Sequence, residues 1–80
     1  MNFIIKIIRP MESHEYNVQW IELQTPSGSM IIQYGHVPYI TLLPAQSINM
    51  YTAARVFEAV AMQGGLAKIE RDSVTIICHE

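Results

Sequence analysis

His36 is the first candidate for chemistry, because imidazoles as a class exchange protons near neutral pH. It lies in the segment Tyr34-Gly35-His36-Val37. A general base needs a nucleophile and an orienting partner, and no recognisable set accompanies it. Capping of its own loop, or a hydrogen bond at an interface, is the expected role. Glu12, His14 and Glu15 follow Pro10 as an acidic–histidine cluster. A metal needs ligands that converge in space, and one histidine with two loop carboxylates fits that poorly. A solvated connection is expected instead. Cys78-His79-Glu80 suggests a thiolate–imidazole pair, yet adjacent strand residues point to opposite faces. A buried Cys78 near a fraying terminus is the simpler reading. Gly64-Gly65 lacks the Lys and Ser/Thr of a phosphate-binding loop. No catalytic residue, metal or cofactor is expected, and the chain is not read as an enzyme.

The elements that position these residues are short. The chain has 80 residues, half of them apolar and only 15% charged, which is too hydrophobic for a disordered tail. Residues 1–80 are read as a single domain, which buries only about 60–65% of its unfolded surface. The net charge of −2 and five scattered basic residues exclude the clustered cations that nucleic acid requires. One cysteine forms no internal disulfide, which fits a reducing compartment. Lys6 interrupts the apolar N-terminus, so no signal peptide is expected, and no run approaches a membrane span.

Breakers divide the chain into strand-like runs. Asn2 to Arg9 alternates, with Phe3, Ile5 and Ile7 on one face and Ile4, Lys6 and Ile8 on the other. Tyr16 to Thr25 changes phase around Trp20 and Ile21, as at a bulge or where a strand changes sheets. Thr25-Pro26-Ser27-Gly28 forms a tight turn, with Gly28 free to take positive φ. Ser29 to Gln33, Pro38 to Leu43 and Leu66 to Glu70 follow as strands. Arg71-Asp72 is a hairpin link, and Ser73 to Cys78 buries Val74, Ile76 and Cys78. The Gly64-Gly65 pair is expected to turn with positive φ. The fold class is all-β, a small two-sheet antiparallel β-sandwich.

Residues 53–62 leave an alternative open. Ala53, Val56, Phe57, Val60 and Ala61 match helical spacing, with Thr52 as N-cap and Gly64 as C′. That reading gives an α+β fold. Meanwhile Ile4, Ile8, Trp20, one of Ile31 and Ile32, and Met50 exceed what one small core needs. A surplus of that kind points to a face that binds protein.

Gly35-His36-Val37-Pro38 with Thr41 and Leu42 resembles the Gly-His-Ala-Pro loop of the epsilon subunit of rotary ATP synthases. Gln63-Gly64-Gly65 is similar to that family's Ser-Gly-Gly turn, and Val74-Thr75-Ile76 to its closing Val-Thr-Val strand. These features fall in the family's order, with the family's separation between Gly35 and Gly64. The resemblance favours two strands over a helix at 53–62, joined near Thr52 to Arg55.

The resemblance implies the β-sandwich of a non-catalytic rotor subunit in a proton- or sodium-translocating F-type synthase. Its implied partners are the gamma subunit and the c-ring. Its implied place is the cytoplasmic face of the membrane, held through the complex without insertion. By position, His36 and Thr41 are gamma-side candidates and Ser29 the c-ring candidate. Tyr34 joins the gamma side because it stands, as an aromatic, where the family usually has Pro. Ser27 and Ser29 replace the acidic turn usual in the family, which weakens a charge-assisted ring contact. The family's C-terminal helical hairpin is not expected in a chain ending at Glu80, nor is inhibition of ATP hydrolysis through it. A stand-alone binding module or homodimer is the alternative, with weak self-association of the isolated chain.

Overall fold

Strict alternation builds the first and last strands as expected. The computed structural model describes residues 1–79. β1 (Phe3–Ile8) buries Phe3, Ile5 and Ile7, and its Ile4 and Lys6 face out. β8 (Ser73–Cys78) buries Val74, Ile76 and Cys78. Between them run β2 (Ser13–Thr25), β3 (Gly28–Gln33), β4 (Tyr39–Leu43), β5 (Gln46–Thr52), β6 (Phe57–Met62) and β7 (Gly65–Ile69). The fold is all-β. Strands run in the order β4-β7-β8-β1-β2-β5-β6, with β3 also on β2.

β2 makes the fold two-layered. Drawn straight, its 13 residues would span about 40 Å, whereas the longest dimension of the molecule is 29 Å. The strand therefore bends, and its register shifts between Val18 and Trp20, where the sequence changes phase. Ser13–Val18 pairs with β1. Beyond the shift, Ile21 pairs with Ile32 of β3 on one edge and Met50 of β5 on the other. The two halves curl over one core, which draws Ile5, Ile7, Val74 and Ile76 from one side and Ile21, Leu23, Ile48 and Met50 from the other. Arg9, just after β1, donates from Nη2 to the Ala61 carbonyl at 2.6 Å, tying the halves together at their seam.

Three expectations are corrected, and one open alternative is closed. The pairing is antiparallel except between β1 and β8, which run parallel because chain start and chain end meet in mid-sheet. The α+β alternative falls, because residues 53–62 form a turn and a strand, as the two-strand reading expects. Thr52 closes a hairpin instead, its hydroxyl donating to the Val56 carbonyl (3.0 Å) and accepting from the Val56 amide (3.2 Å). Local helical spacing loses there to pairing with β5. Met50 is fully buried core and not surplus, whereas of Ile31 and Ile32 the first is exposed, as expected of one of them, and the second is core. Only Gly64 of the glycine pair has positive φ (123°). Gly65 is required for another reason: a Cβ there would overlap the Ile77 carbonyl oxygen of β8.

Candidate functional site

The outward faces of the two halves carry different side chains, because alternation fixes which residues leave the core. On the β1–β8–β7–β4 half, Ile4, Ile77, Ile40 and Leu42 stand out with Lys6 and Lys68 among them. Leu42, Leu43, Gly65, Leu66, Ile77 and His79 line a shallow groove of about 530 Å³ there. The surplus expected at Ile4 is present, and Ile8 is half-buried.

On the β3–β2–β5–β6 half, register assembles a site that no local motif announces. Trp20 lies opposite Gln33 on one side and Tyr51 on the other, and Tyr51 lies opposite Phe57. The rings touch: Trp20 stacks on Tyr51 at 6.1 Å, Phe57 packs against Tyr51 at 4.7 Å, and Phe57 meets Trp20 edge-on at 6.1 Å. Such pairs contribute about 0.5–1.5 kcal/mol beyond area burial. Yet Phe57 is 73% exposed, with Val56 beside it at 52%. Across Trp20, a recess of about 330 Å³ is lined by Met1, Gln19, Trp20, Gln33 and Tyr34. Tyr34 thus shares Trp20 with the aromatic cluster. The signal in the sequence was the phase of β5 and β6 once a turn at 52–56 is granted.

Tyr34 and His36 sit in the loop between β3 and β4, which Gly35 shapes with φ 85° and anchors by donating its amide to the Arg71 carbonyl at 2.7 Å. His36 Nδ1 donates to the Val37 carbonyl at 2.8 Å, so the ring caps its own loop. Thr41 is different. It is half-buried on β4, opposite Ala67, with its hydroxyl donating to the Leu42 carbonyl at 3.2 Å. No hydrogen bond or ring contact among the described residues joins it to Tyr34 or His36.

Ser29 occupies the far end of the same outward face, about 13 Å along β3 from Gln33. Its hydroxyl donates to Glu22 Oε2 at 3.2 Å, and Asn49 Nδ2 donates to Glu22 Oε1 at 3.4 Å. A carboxylate therefore stands beside Ser29, supplied from β2 rather than from the turn. Gln24 and Gln46 complete this end: the Gln24 amide donates to Gln46 Oε1 (2.8 Å), and Gln46 Nε2 returns to the Gln24 carbonyl (2.9 Å).

The remaining candidates do not assemble. His14 Nε2 lies 3.5 Å from Glu12 Oε1 at the surface, but β2 turns Glu15 to the opposite face from His14. No group of three metal-ligating residues converges among the described residues. Cys78 is buried with a free thiol, and Glu80 lies outside the described residues. No helix among the described residues is long and apolar enough to cross a membrane.

Comparison with known proteins gives this geometry a context. The family model for the ATP synthase delta/epsilon chain, β-sandwich domain, matches residues 2–80. The chain is similar to the ATP synthase epsilon chain of Nostoc sp., with 28% identity over 81 residues, 99% of this chain and 59% of that one. Against the epsilon chain of Priestia megaterium the figures are 30% over 66 residues, 82% and 48%. It superposes on a chain of the Euglena gracilis mitochondrial ATP synthase (OSCP/F1/c-ring) with a TM-score of 0.89 and 21% identity, covering 99% of this chain and 51% of that one. For the Tetrahymena thermophila central stalk/c-ring the TM-score is 0.82 at 15% identity, covering 100% and 65%. The chain spans about three-fifths of the length of the Nostoc relative.

Proposed function

This chain belongs to the ATP synthase delta/epsilon β-sandwich family, and from that premise we propose that it is a non-catalytic rotor subunit of an F-type synthase. It joins the gamma subunit to the c-ring of a complex that moves protons or sodium ions, on the cytoplasmic face of the membrane. The observation that carries the proposal is the family match across residues 2–80. The mechanism is mechanical. A β core resists shear because protein interiors are packed to crystal density, so the sandwich passes torque between partners without a chemical step.

The two ends of one outward face suit two partners. Tyr34, His36 and the rings around Trp20 form the gamma side, where aromatic side chains anchor by burial. Ser29 with Glu22 forms the ring side, where a carboxylate attracts basic loops. Thr41 is a lesser member of the gamma side, since it lies half-buried on a strand with its hydroxyl bonded locally. The proposal concerns the sandwich alone, and restraint of ATP hydrolysis by a helical hairpin forms no part of it.

The test is a sizing column loaded with the purified chain and the gamma subunit encoded in the same genome. Co-elution as a stable complex is the expected result. Separate elution of two folded proteins counts against the proposal. A symmetric dimer that ignores gamma would favour a stand-alone binding module.

A further inference from the structure

Arg55 is the one non-glycine with positive φ (64°) among the described residues. It lies in the loop of residues 53–56 between β5 and β6, and the left-handed position of such a hairpin loop is normally filled by glycine or asparagine. The loop cannot relax easily. The Thr52 amide donates to the Val56 carbonyl at 2.9 Å, Arg55 donates its amide to the Thr52 carbonyl at 2.9 Å, and Ala53 donates to the Asn17 carbonyl of β2 at 2.8 Å. Strain that neighbours hold in place is a mark of function when the strained side chain has no structural task. Arg55 is exposed, and no side-chain hydrogen bond or ion pair among the described residues involves it.

We infer that Arg55 is a binding anchor that meets a carboxylate on the gamma subunit, beside an apolar group that covers Phe57. This rests on the reading of the chain as a stalk subunit. Arg55 lies two residues from Phe57, hence within about 7 Å along the backbone, at the margin of the Trp20–Tyr51–Phe57 cluster. An arginine beside an exposed phenylalanine that packs on two half-buried rings has the composition of an interface hot spot. A planar guanidinium fits a carboxylate with two parallel bonds. The hairpin offers one cation and not a cluster, which suits a single carboxylate on a protein rather than a polyanion. Glycine at this position would relieve the backbone and remove the anchor together, so stability and affinity should move in opposite directions.

Titration calorimetry against the gamma subunit, with thermal melts of the free chain, tests this. Arg55→Gly is expected to raise Tm by about 5 °C and to weaken binding by roughly 10–30-fold. Arg55→Gln should weaken binding similarly, while Arg55→Lys, which keeps the charge but loses the two parallel bonds, should weaken it by an intermediate factor of roughly 3–10. If the unsubstituted chain binds gamma and Arg55→Gly binds it equally well, the anchor is overturned and the stalk reading stands. If the unsubstituted, folded chain does not bind gamma, the stalk reading falls and takes the anchor with it.

Discussion

Trp20 and Ser29 leave the core on the same face of adjacent strands, and their surroundings have little in common. Around Trp20 three rings touch, yet Phe57 stays largely in water and Arg55 holds a strained backbone. Around Ser29 the polar groups bond one another: Ser29 and Asn49 donate to Glu22, and Gln24 and Gln46 bond each other. One end keeps exposed apolar area and an unrelieved conformation. The other satisfies its polar groups by itself. A partner therefore gains most at the first end, by removing apolar area from water. At the second it meets a pre-oriented carboxylate, which steers association more than it holds a complex.

The largest effect should come from the scaffold that both ends share. Gly65→Ala forces apart the β7 and β8 backbones, at an expected cost of about 4 kcal/mol or more. Against roughly 4–12 kcal/mol for 80 residues, much of the protein unfolds, and circular dichroism should show both ends lost together. Trp20→Ala breaks only the aromatic end. It should cost about 2–3 kcal/mol in a urea titration and abolish measurable gamma binding. Tyr34→Ala with His36→Ala should leave stability nearly unchanged and weaken the gamma complex more than tenfold; unchanged affinity would clear both residues. Glu22→Gln removes the charge of the polar end. Its effect on association of the gamma complex with isolated c-ring should be about threefold at low salt and fade at high salt. Ser29→Ala is the smallest change, with stability moving by less than about 0.5 kcal/mol, and it sharpens the contrast if Trp20→Ala behaves as stated.

Much of the scaffold was legible because period-2 alternation survives wherever a strand has one buried face. β1 and β8 show it, and the phase break at Trp20 marks the register shift of β2. β6 was ambiguous because four of its six residues are exposed, so little burial constraint acts on its pattern, and its alanines favour a helix locally. Met50 reads as surplus in the sequence because what buries it is the pairing of β5 with β2, which a local pattern does not contain. The aromatic cluster joins residues 20, 51 and 57 through register, which a linear scan for motifs does not follow. Arg55 was hidden for a related reason: positive φ follows from loop length and hydrogen bonding, not from residue type. The Gly35-His36 loop, by contrast, announced itself, since positive φ at Gly35 is a steric requirement.

Trp20 is the sole tryptophan, so the aromatic end can be watched alone. The chain labelled with 5-fluorotryptophan gives one fluorine resonance, to be followed as unlabelled gamma subunit is added. The account expects that resonance to shift and broaden to saturation at one equivalent of gamma. A resonance that stays in place while a complex demonstrably forms would show that gamma docks elsewhere, and would contradict the claim that the aromatic end is where the sandwich is held.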